Sequence, residues 1–297
     1  MATAAAIAAD LRGTVPSRHG ARSRHGALSR RAFLGLLGVG ALGALSGGAV
    51  AGTYRFGIES IEARLAGLRA PVRVAWLVDL HYGPFIRAGS VAAWVDAALS
   101  LAPDLILLGG DLVDHLAPDD VRPLLAELAR LRAPLGVYGV WGNHEFARYP
   151  DAGDRQRFHD ALEDAGVTML INRGVDLRSD LHLVGLDADR VGPRVMQRAL
   201  ADRPDGSACL LATHKPDMLP RIPATVDLTL MGHTHGGQVV LPGIGPILMR
   251  TELGPEGTAG WVRAPALGYV SRGLGVVHLP VRINCPAELT LATLIPG

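Results

Sequence analysis

Five apolar runs of strand length in this chain each stop at a short cluster of metal-competent polar side chains, and no other feature restricts its fold as strongly. The clusters are Asp79-Leu80-His81, Gly110-Asp111-Leu112-Val113-Asp114, Gly142-Asn143-His144-Glu145, Thr213-His214 and Gly232-His233-Thr234-His235. In open α/β sheets, ligands bind beyond the carboxyl ends of the strands. A single His or Asp at a strand end is usually a cap or turn residue. Five strand ends that each carry a donor point instead to one shared site. Oxygen donors mixed with imidazole, without thiolate, suit divalent Mn, Fe, Zn or Mg. Gly110, Gly142 and Gly232 immediately precede donors and let the chain turn close to a metal or phosphate. In a strand-like geometry, Asp79 and His81 share one face, and so do His233 and His235.

The elements around these clusters alternate. Residues 52–70 read as an amphipathic lead-in, helical around Glu59–Leu68 and stopped by Pro71. Strands follow at Val72–Val78, Leu105–Leu108 and Leu135–Val140, separated by helices at Ser90–Leu101, with Ser90 as N-cap, and Pro118–Leu131. A further helix covers Asp154–Ala165 and ends at Gly166. Strands then dominate: Val167–Ile171, Val175–Leu177, Leu181–Leu186, Ala208–Ala212, Val226–Met231, Gln238–Leu241, Gly268–Ser271 and Val276–His278, with one helix at Pro193–Ala201. A helix-rich first half and a strand-rich second half predict two sheets packed together with helices outside.

Composition narrows the function. Residues 1–51 hold six arginines against Asp10, a net +5 in a chain of net +1, which leaves −4 for the rest. A mildly acidic body offers no broad nucleic-acid-binding face. The two cysteines, Cys209 and Cys285, form no Cys-x-x-Cys pair, which excludes a zinc ribbon or a dithiol redox site. Cys209, inside an apolar run, reads as a small buried thiol.

The N-terminus reads as an address. Ser29-Arg30-Arg31-Ala32-Phe33-Leu34 opens an uncharged, Gly/Ala/Leu-rich run that ends in Ala49-Val50-Ala51. A basic stretch, an apolar stretch and a small-x-small site make an export signal, and the paired arginines resemble the twin-arginine type. Cleavage after Ala51 would leave one domain over residues 52–297. The alternative is retention of Ala32–Ala51 as a membrane anchor, since the stretch is about long enough to span a bilayer. Gly38-Val39-Gly40-Ala41-Leu42-Gly43 matches a dinucleotide fingerprint but lacks the strand and helix that would give it meaning.

The ordered series Asp-x-His, Gly-Asp-x-x-Asp, Gly-Asn-His-Glu, His and Gly-His-x-His resembles the calcineurin-like metallophosphoesterase family from about residue 72 to 240. Gly232–Gln238 and the later Asn284-Cys285-Pro286-Ala287-Glu288 resemble more narrowly its exported bacterial phosphodiesterase branch. The resemblance implies a four-layer αββα sandwich of two mixed β-sheets flanked by helices. It implies two divalent metal ions (Mn, Fe, Zn or Mg), one on Asp79, His81, Asp111 and His235, the other on Asp111, Asn143, His214 and His233, with Asp111 shared. His144 would face substrate as the catalytic residue, while Asp114 and Glu145 buttress the site. The implied reaction is hydrolysis of a phosphodiester or pyrophosphate bond by a hydroxide between the cations.

Other residues carry weaker expectations. His115 and His159 read as solvated and His182 and His278 as strand residues, with His115 nearest the site in sequence. Tyr82, Phe85 and Arg87 are candidates for a substrate wall, and Arg272 and Arg282 for phosphate contact. The expected partner is a phosphate-ester substrate, and the expected location the periplasm or cell envelope, with membrane association through the N-terminal segment. Competing readings are a lipid-linked pyrophosphatase of the UDP-2,3-diacylglucosamine hydrolase type, a non-catalytic metal-stabilised surface module, and a metal-dependent amidase or lactonase.

Overall fold

The computed structural model describes residues 53–117, 119–188 and 191–297. The export-signal reading, the cleavage point after Ala51 and the first residue of the helix expected at Pro118 lie outside these. In chain order the elements are β1 (Phe56–Leu65), β2 (Val72–Leu77), α1 (Ala88–Ser100), β3 (Leu105–Leu108), α2 (Arg122–Leu128), β4 (Val137–Gly139), α3 (Asn143–Arg148), α4 (Ala152–Asp164), β5 (Thr168–Met169), β6 (Arg173–Arg178) and β7 (Leu181–Leu186). They continue with α5 (Pro193–Leu200), β8 (Ala208–Thr213), β9 (Leu228–Met231), β10 (Val240–Leu241), β11 (Gly245–Pro246), β12 (Gly260–Arg263), β13 (Leu267–Val270) and β14 (Ala287–Pro296).

Two six-stranded mixed sheets form, in the orders β1-β14-β2-β3-β4-β5 and β12-β13-β9-β8-β7-β6. In the first, β2 to β5 run parallel; in the second, β7, β8, β9 and β13 do. A parallel strand buried on both faces is predominantly apolar, and so are β2, β3, β8 and β9, with Arg73, Thr213 and Thr229 as the exceptions. Alternate residues of one strand then enter different cores. Val74 and Trp76 of β2 and Leu105 and Leu107 of β3 meet Leu183, Leu210 and Leu230 of the second sheet. Ala75, Leu77, Ile106 and Leu108 face away, against Trp94 and Val95 of α1, Leu124 and Leu128 of α2 and Phe158 and Leu162 of α4. On the far side, Val184, Leu186, Cys209 and Leu211 pack with Met196 and Ala199 of α5. Three cores separate four layers, helix–sheet–sheet–helix, as expected from the sequence. Trp76 ties the sheets together, since its Nε1 donates to the Met231 carbonyl at 3.4 Å.

Several local expectations are corrected. Glu59–Leu68 is not helical: β1 occupies Phe56–Leu65 and pairs in parallel with β14 over ten positions from Phe56–Ala287 to Leu65–Pro296. The spacing of Ile58, Ile61 and Leu65 fits a helix face, but Ile61, Ala63 and Leu65 are the buried set, a strand period. Helix α1 begins two residues before Ser90, with Arg87 as N-cap and no side-chain cap. Helix α2 starts only at Arg122, because Asp120 accepts the Arg122 amide at 3.1 Å in a turn ahead of it. Val276–His278 is not a strand. The short α3, β12 and the ten-residue β14 were not anticipated. Both cysteines are buried and free.

Candidate metal centre

Strands β2, β3 and β4 are adjacent and parallel, and so are β8 and β9, so their carboxyl ends gather on one edge of the sandwich. Asp79 and His81 follow β2, Asp111 follows β3, Asn143 and His144 open α3 after β4, His214 follows β8, and His233 and His235 follow β9. The loops themselves are hydrogen-bonded. The amides of Asp79, His81 and Tyr82 donate to the carbonyls of Gly110, Asp111 and Leu112, and the Gly232 amide to that of His214.

The donor pairs do not share a strand face. Asp79, His81, Asp111, His233 and His235 all adopt left-handed backbone, with φ of 57°, 49°, 49°, 73° and 53°. Asp and His tolerate this region better than bulkier side chains do. The turn, rather than strand alternation, sends both donors of each loop into the site.

Six of the expected donors come together, and their atoms fall into groups within 4.8 Å: Asp79 with His81 and His235, and Asp111 with His214 and His233. The Nε2 atoms of His81 and His235 are 2.9 Å apart, and His233 Nδ1 lies 3.2 Å from His214 Nε2. Asp111 stands between the groups. Its Oδ2 lies 3.1 Å from His214 Nε2, 3.5 Å from His81 Nε2 and 4.0 Å from His144 Nε2. Its Oδ1 is occupied by the His144 amide at 2.8 Å. A third group joins His81, Asp114 and His144.

The residues fit divalent cations. Asn143 Oδ1 is shut off from solvent without a hydrogen-bond partner among the described residues, a cost unless a cation takes it. His214 donates Nδ1–H to the Gly109 carbonyl at 2.9 Å, which fixes the ring with Nε2 turned toward Asp111. Burial holds His233 neutral, with its pKa down at about 2, and holds His235 well below the usual imidazole range. Burial also presses on His214, but the charges of Asp111 and Asp79 outweigh it and raise the group to about 9. Burial pushes Asp79 up to about 6 despite that histidine.

Glu145 holds the loop that carries Asp111. Its Oε2 accepts the amides of Asp111 and Gly142 at 3.0 and 2.8 Å, and its Oε1 those of Leu112 and Val113 at 2.6 and 3.3 Å. Burial, and then the charge of Asp111, push this carboxyl up to about 7 while the amides pull it down. Packing is as tight at Gly142, where an added Cβ would overlap the amide and carboxylate of Asp111.

His144 is buried, with its pKa brought down to about 4 by burial. Its Nδ1 accepts the His115 amide at 3.3 Å, which assigns the proton to Nε2, the nitrogen on the Asp111 side. His115 itself reaches Asp114 at 3.2 Å, and its ring lies 6.5 Å from that of His278. His278 therefore belongs to the rim of the site.

Four expectations are corrected. Tyr82 is buried and, with Phe85, packs into the helix-side core, so neither forms a wall; Arg87 is exposed at the start of α1. Arg282 is buried and donates to the carbonyls of Gly275, Gly273 and Arg272 at 2.6, 3.0 and 2.8 Å. Arg272 pairs with Glu288 and Glu59, both at 2.9 Å. Neither arginine is available to a phosphate. Together with the Cys285 thiol, which donates to the His235 carbonyl at 3.2 Å, Arg282 braces the loop of His235. Sequence reasoning passed over Arg250, whose charge acts on Asp111 and Asp79 and which sits in no motif.

A family model described as calcineurin-like phosphoesterase matches residues 72–237. The chain is 30% identical over 284 residues to the metallophosphoesterase YkuE of Bacillus subtilis, covering 89% of this chain and 96% of that protein. It is 31% identical over 257 residues to the phosphodiesterase YaeI of Escherichia coli, covering 80% and 88%. Among solved structures, a dimetal phosphatase from Danio rerio aligns over 69% of this chain and 88% of its own, with 14% identity and a TM-score of 0.40.

Proposed function

The chain belongs to the calcineurin-like phosphoesterase family and is a hydrolase of phosphoesters, and from that premise we propose that it cleaves phosphodiester or pyrophosphate bonds at a dinuclear metal centre. The observation that carries the proposal is the position of Asp111 Oδ2, within 4.0 Å of nitrogens of His214, His81 and His144 and between the two donor groups. Asp79, His81 and His235 would hold one cation and Asn143, His214 and His233 the other, with Asp111 serving both. Two such cations supply Lewis acidity, acidify water and offset charge on the phosphoryl oxygens.

The chain's own groups do the rest. Neutral His144 presents Nε2–H toward the site and hydrogen-bonds an oxygen of the substrate as charge develops there. Glu145 keeps the Asp111 loop from moving when charge is added. Residues 52–297 would form the single catalytic domain. Residues 1–51 would export it through the twin-arginine route to the periplasm or cell envelope, a proposal that rests on the Arg30-Arg31 motif and the apolar run after it. Fractionation of cells expressing the full chain and an Arg30,Arg31→Lys,Lys variant tests export; equal retention in the cytoplasm would overturn it.

The full chain, loaded with Mn, is assayed on bis-p-nitrophenyl phosphate beside p-nitrophenyl acetate and a p-nitroanilide. Metal-dependent turnover of the phosphodiester alone is expected. Turnover of the ester or amide in its place would overturn the proposal, and so would none at all. A lipid-linked pyrophosphate is the second reading, favoured by one observation: Ile244, in the β10–β11 hairpin that follows the His235 loop, and Leu248 and Met249, just after it, are 76%, 39% and 53% exposed. Large apolar side chains left in water mark a surface that meets an apolar partner. A preference for acylated over deacylated substrate would support it, and equal rates would exclude it.

A further inference from the structure

The segment after β11 is tied down on both sides of Arg250. Ile247 donates its amide to the Val239 carbonyl at 3.0 Å, four residues beyond His235. Thr251 gives its hydroxyl to Asp217 Oδ1 at 2.6 Å, and the Glu252 amide donates to the same oxygen at 2.8 Å, three residues beyond His214. Arg250 lies between these anchors, so the backbone holds it against both ligand-bearing loops of the second sheet. It is partly buried. Its charge acts on Asp111 and Asp79 and on His233, His235 and His278. Among the described residues it makes no hydrogen bond and no ion pair.

The other arginines drawn in from solvent are committed. Arg282 holds backbone carbonyls, Arg272 is paired with Glu288, Arg178 with Asp180, and Arg203 reaches Thr225 and Ser207. A guanidinium partly removed from water without a partner is a net cost. Metal loading raises that cost. Asp79 and Asp111 would give their charge to the cations, and Arg250 would then stand beside ions of its own sign. An anion between them removes the conflict.

We propose that Arg250 is the phosphate-anchoring residue of this site, binding a non-esterified oxygen of the substrate. A planar guanidinium matches two phosphoryl oxygens in a fork and keeps its charge at any working pH. The inference rests on the phosphoesterase reading and adds to it a residue that recognises the phosphate group itself, for phosphodiesters and pyrophosphates alike.

The test uses the full chain, wild type, R250A and R250K, with two calorimetric titrations: Mn into each protein with and without inorganic phosphate, and inorganic phosphate into each Mn-loaded protein. R250A should weaken phosphate binding at least tenfold, and R250K should recover part of it, because the charge returns without the fork. Without phosphate, R250A should bind Mn as tightly as wild type or more tightly, since a repelling charge is gone. KM for bis-p-nitrophenyl phosphate should rise in parallel with the loss of phosphate affinity. Unchanged phosphate affinity in R250A overturns the assignment, as does joint loss of Mn and phosphate, the mark of a structural support. If wild type binds phosphate through Arg250 yet hydrolyses no phosphodiester, the catalytic reading fails and the anchor stands. If wild type hydrolyses and R250A matches it in KM and in phosphate affinity, the anchor alone fails. A wild type that binds no phosphate sinks both.

Discussion

Glu145 offers the sharpest check on how the site is held. Replacing it with alanine leaves four buried amides, those of Asp111, Leu112, Val113 and Gly142, without an acceptor. An unmatched buried donor costs about 1–3 kcal/mol. The four are neighbours and water can enter the vacated space, so the sum contracts to about 3–5 kcal/mol. In a domain of this size that lowers the melting temperature by about 10 °C. Glutamine acts differently. It keeps the shape and one acceptor oxygen but turns a donor toward two amides, a loss of about 4 kcal/mol on the same scale. Both replacements also remove a buried charge whose pKa stands at about 7 rather than 4.5, a relief of about 3 kcal/mol once that charge is present. Alanine further gives up two buried methylenes, about 1.6 kcal/mol, so above pH 7 metal-free Glu145→Gln should melt within about 1 kcal/mol of wild type and Glu145→Ala about 2–4 kcal/mol below it. The sign of the pH dependence follows. A carboxyl whose folded pKa is raised contributes stability at low pH that is lost as pH climbs from about 4.5 through about 7. Metal-free wild type should lose ground to the glutamine variant across that window. Thermal melts of the three chelated proteins between pH 5 and 8, with Mn stoichiometry on reloading, decide the matter. An alanine variant within about 1 kcal/mol of wild type, or a glutamine variant below alanine, would refute the four-amide clamp.

Three further outcomes are expected. His144→Ala should lower kcat on bis-p-nitrophenyl phosphate by about 10- to 150-fold, the worth of one hydrogen bond to a charged oxygen, with Mn per chain unchanged; metal loss would place His144 among the ligands instead. Chelation should abolish turnover and lower the melting temperature, and Mn at a hundred times its dissociation constant should return about 2.7 kcal/mol per site; a melt that ignores chelator would contradict the buried donor set. Gly142→Ala should abolish metal binding while the fold persists, because its methyl group overlaps the Asp111 carboxylate; full Mn occupancy by elemental analysis would disprove that packing.

Much of this was legible in the residue order. A parallel strand buried on both faces is a largely apolar run, and it stops where the chain leaves the sheet, so the runs ending at Val78, Leu108, Val140, Ala212 and Met231 mark the strand ends that carry the polar clusters. What failed was the choice between patterns that one sequence satisfies equally. Ile58, Ile61 and Leu65 fit a helix face, and only pairing with β14, more than two hundred residues away, makes them a strand. Donors two apart suggested a strand face at Asp79 and His81, whereas left-handed turns place them. Arg272 and Arg282 carry the same side chain as Arg250, and nothing in their neighbours separates them. Glu288, Glu59 and the carbonyls of the Gly273–Gly275 loop claim the first two, and these partners meet only when the sheets close.

The order of amino acids determined the four layers and the edge on which the polar clusters gather, because periodicity and side-chain chemistry are local properties that survive in one dimension. Tertiary structure alone decided the left-handed turns, the standing of Asp111 between two donor groups, the clamp by Glu145 and the lack of a partner for Arg250 among the described residues. Each of these depends on where groups distant in the chain come within a few ångströms, and that is settled only when the two sheets pack face to face.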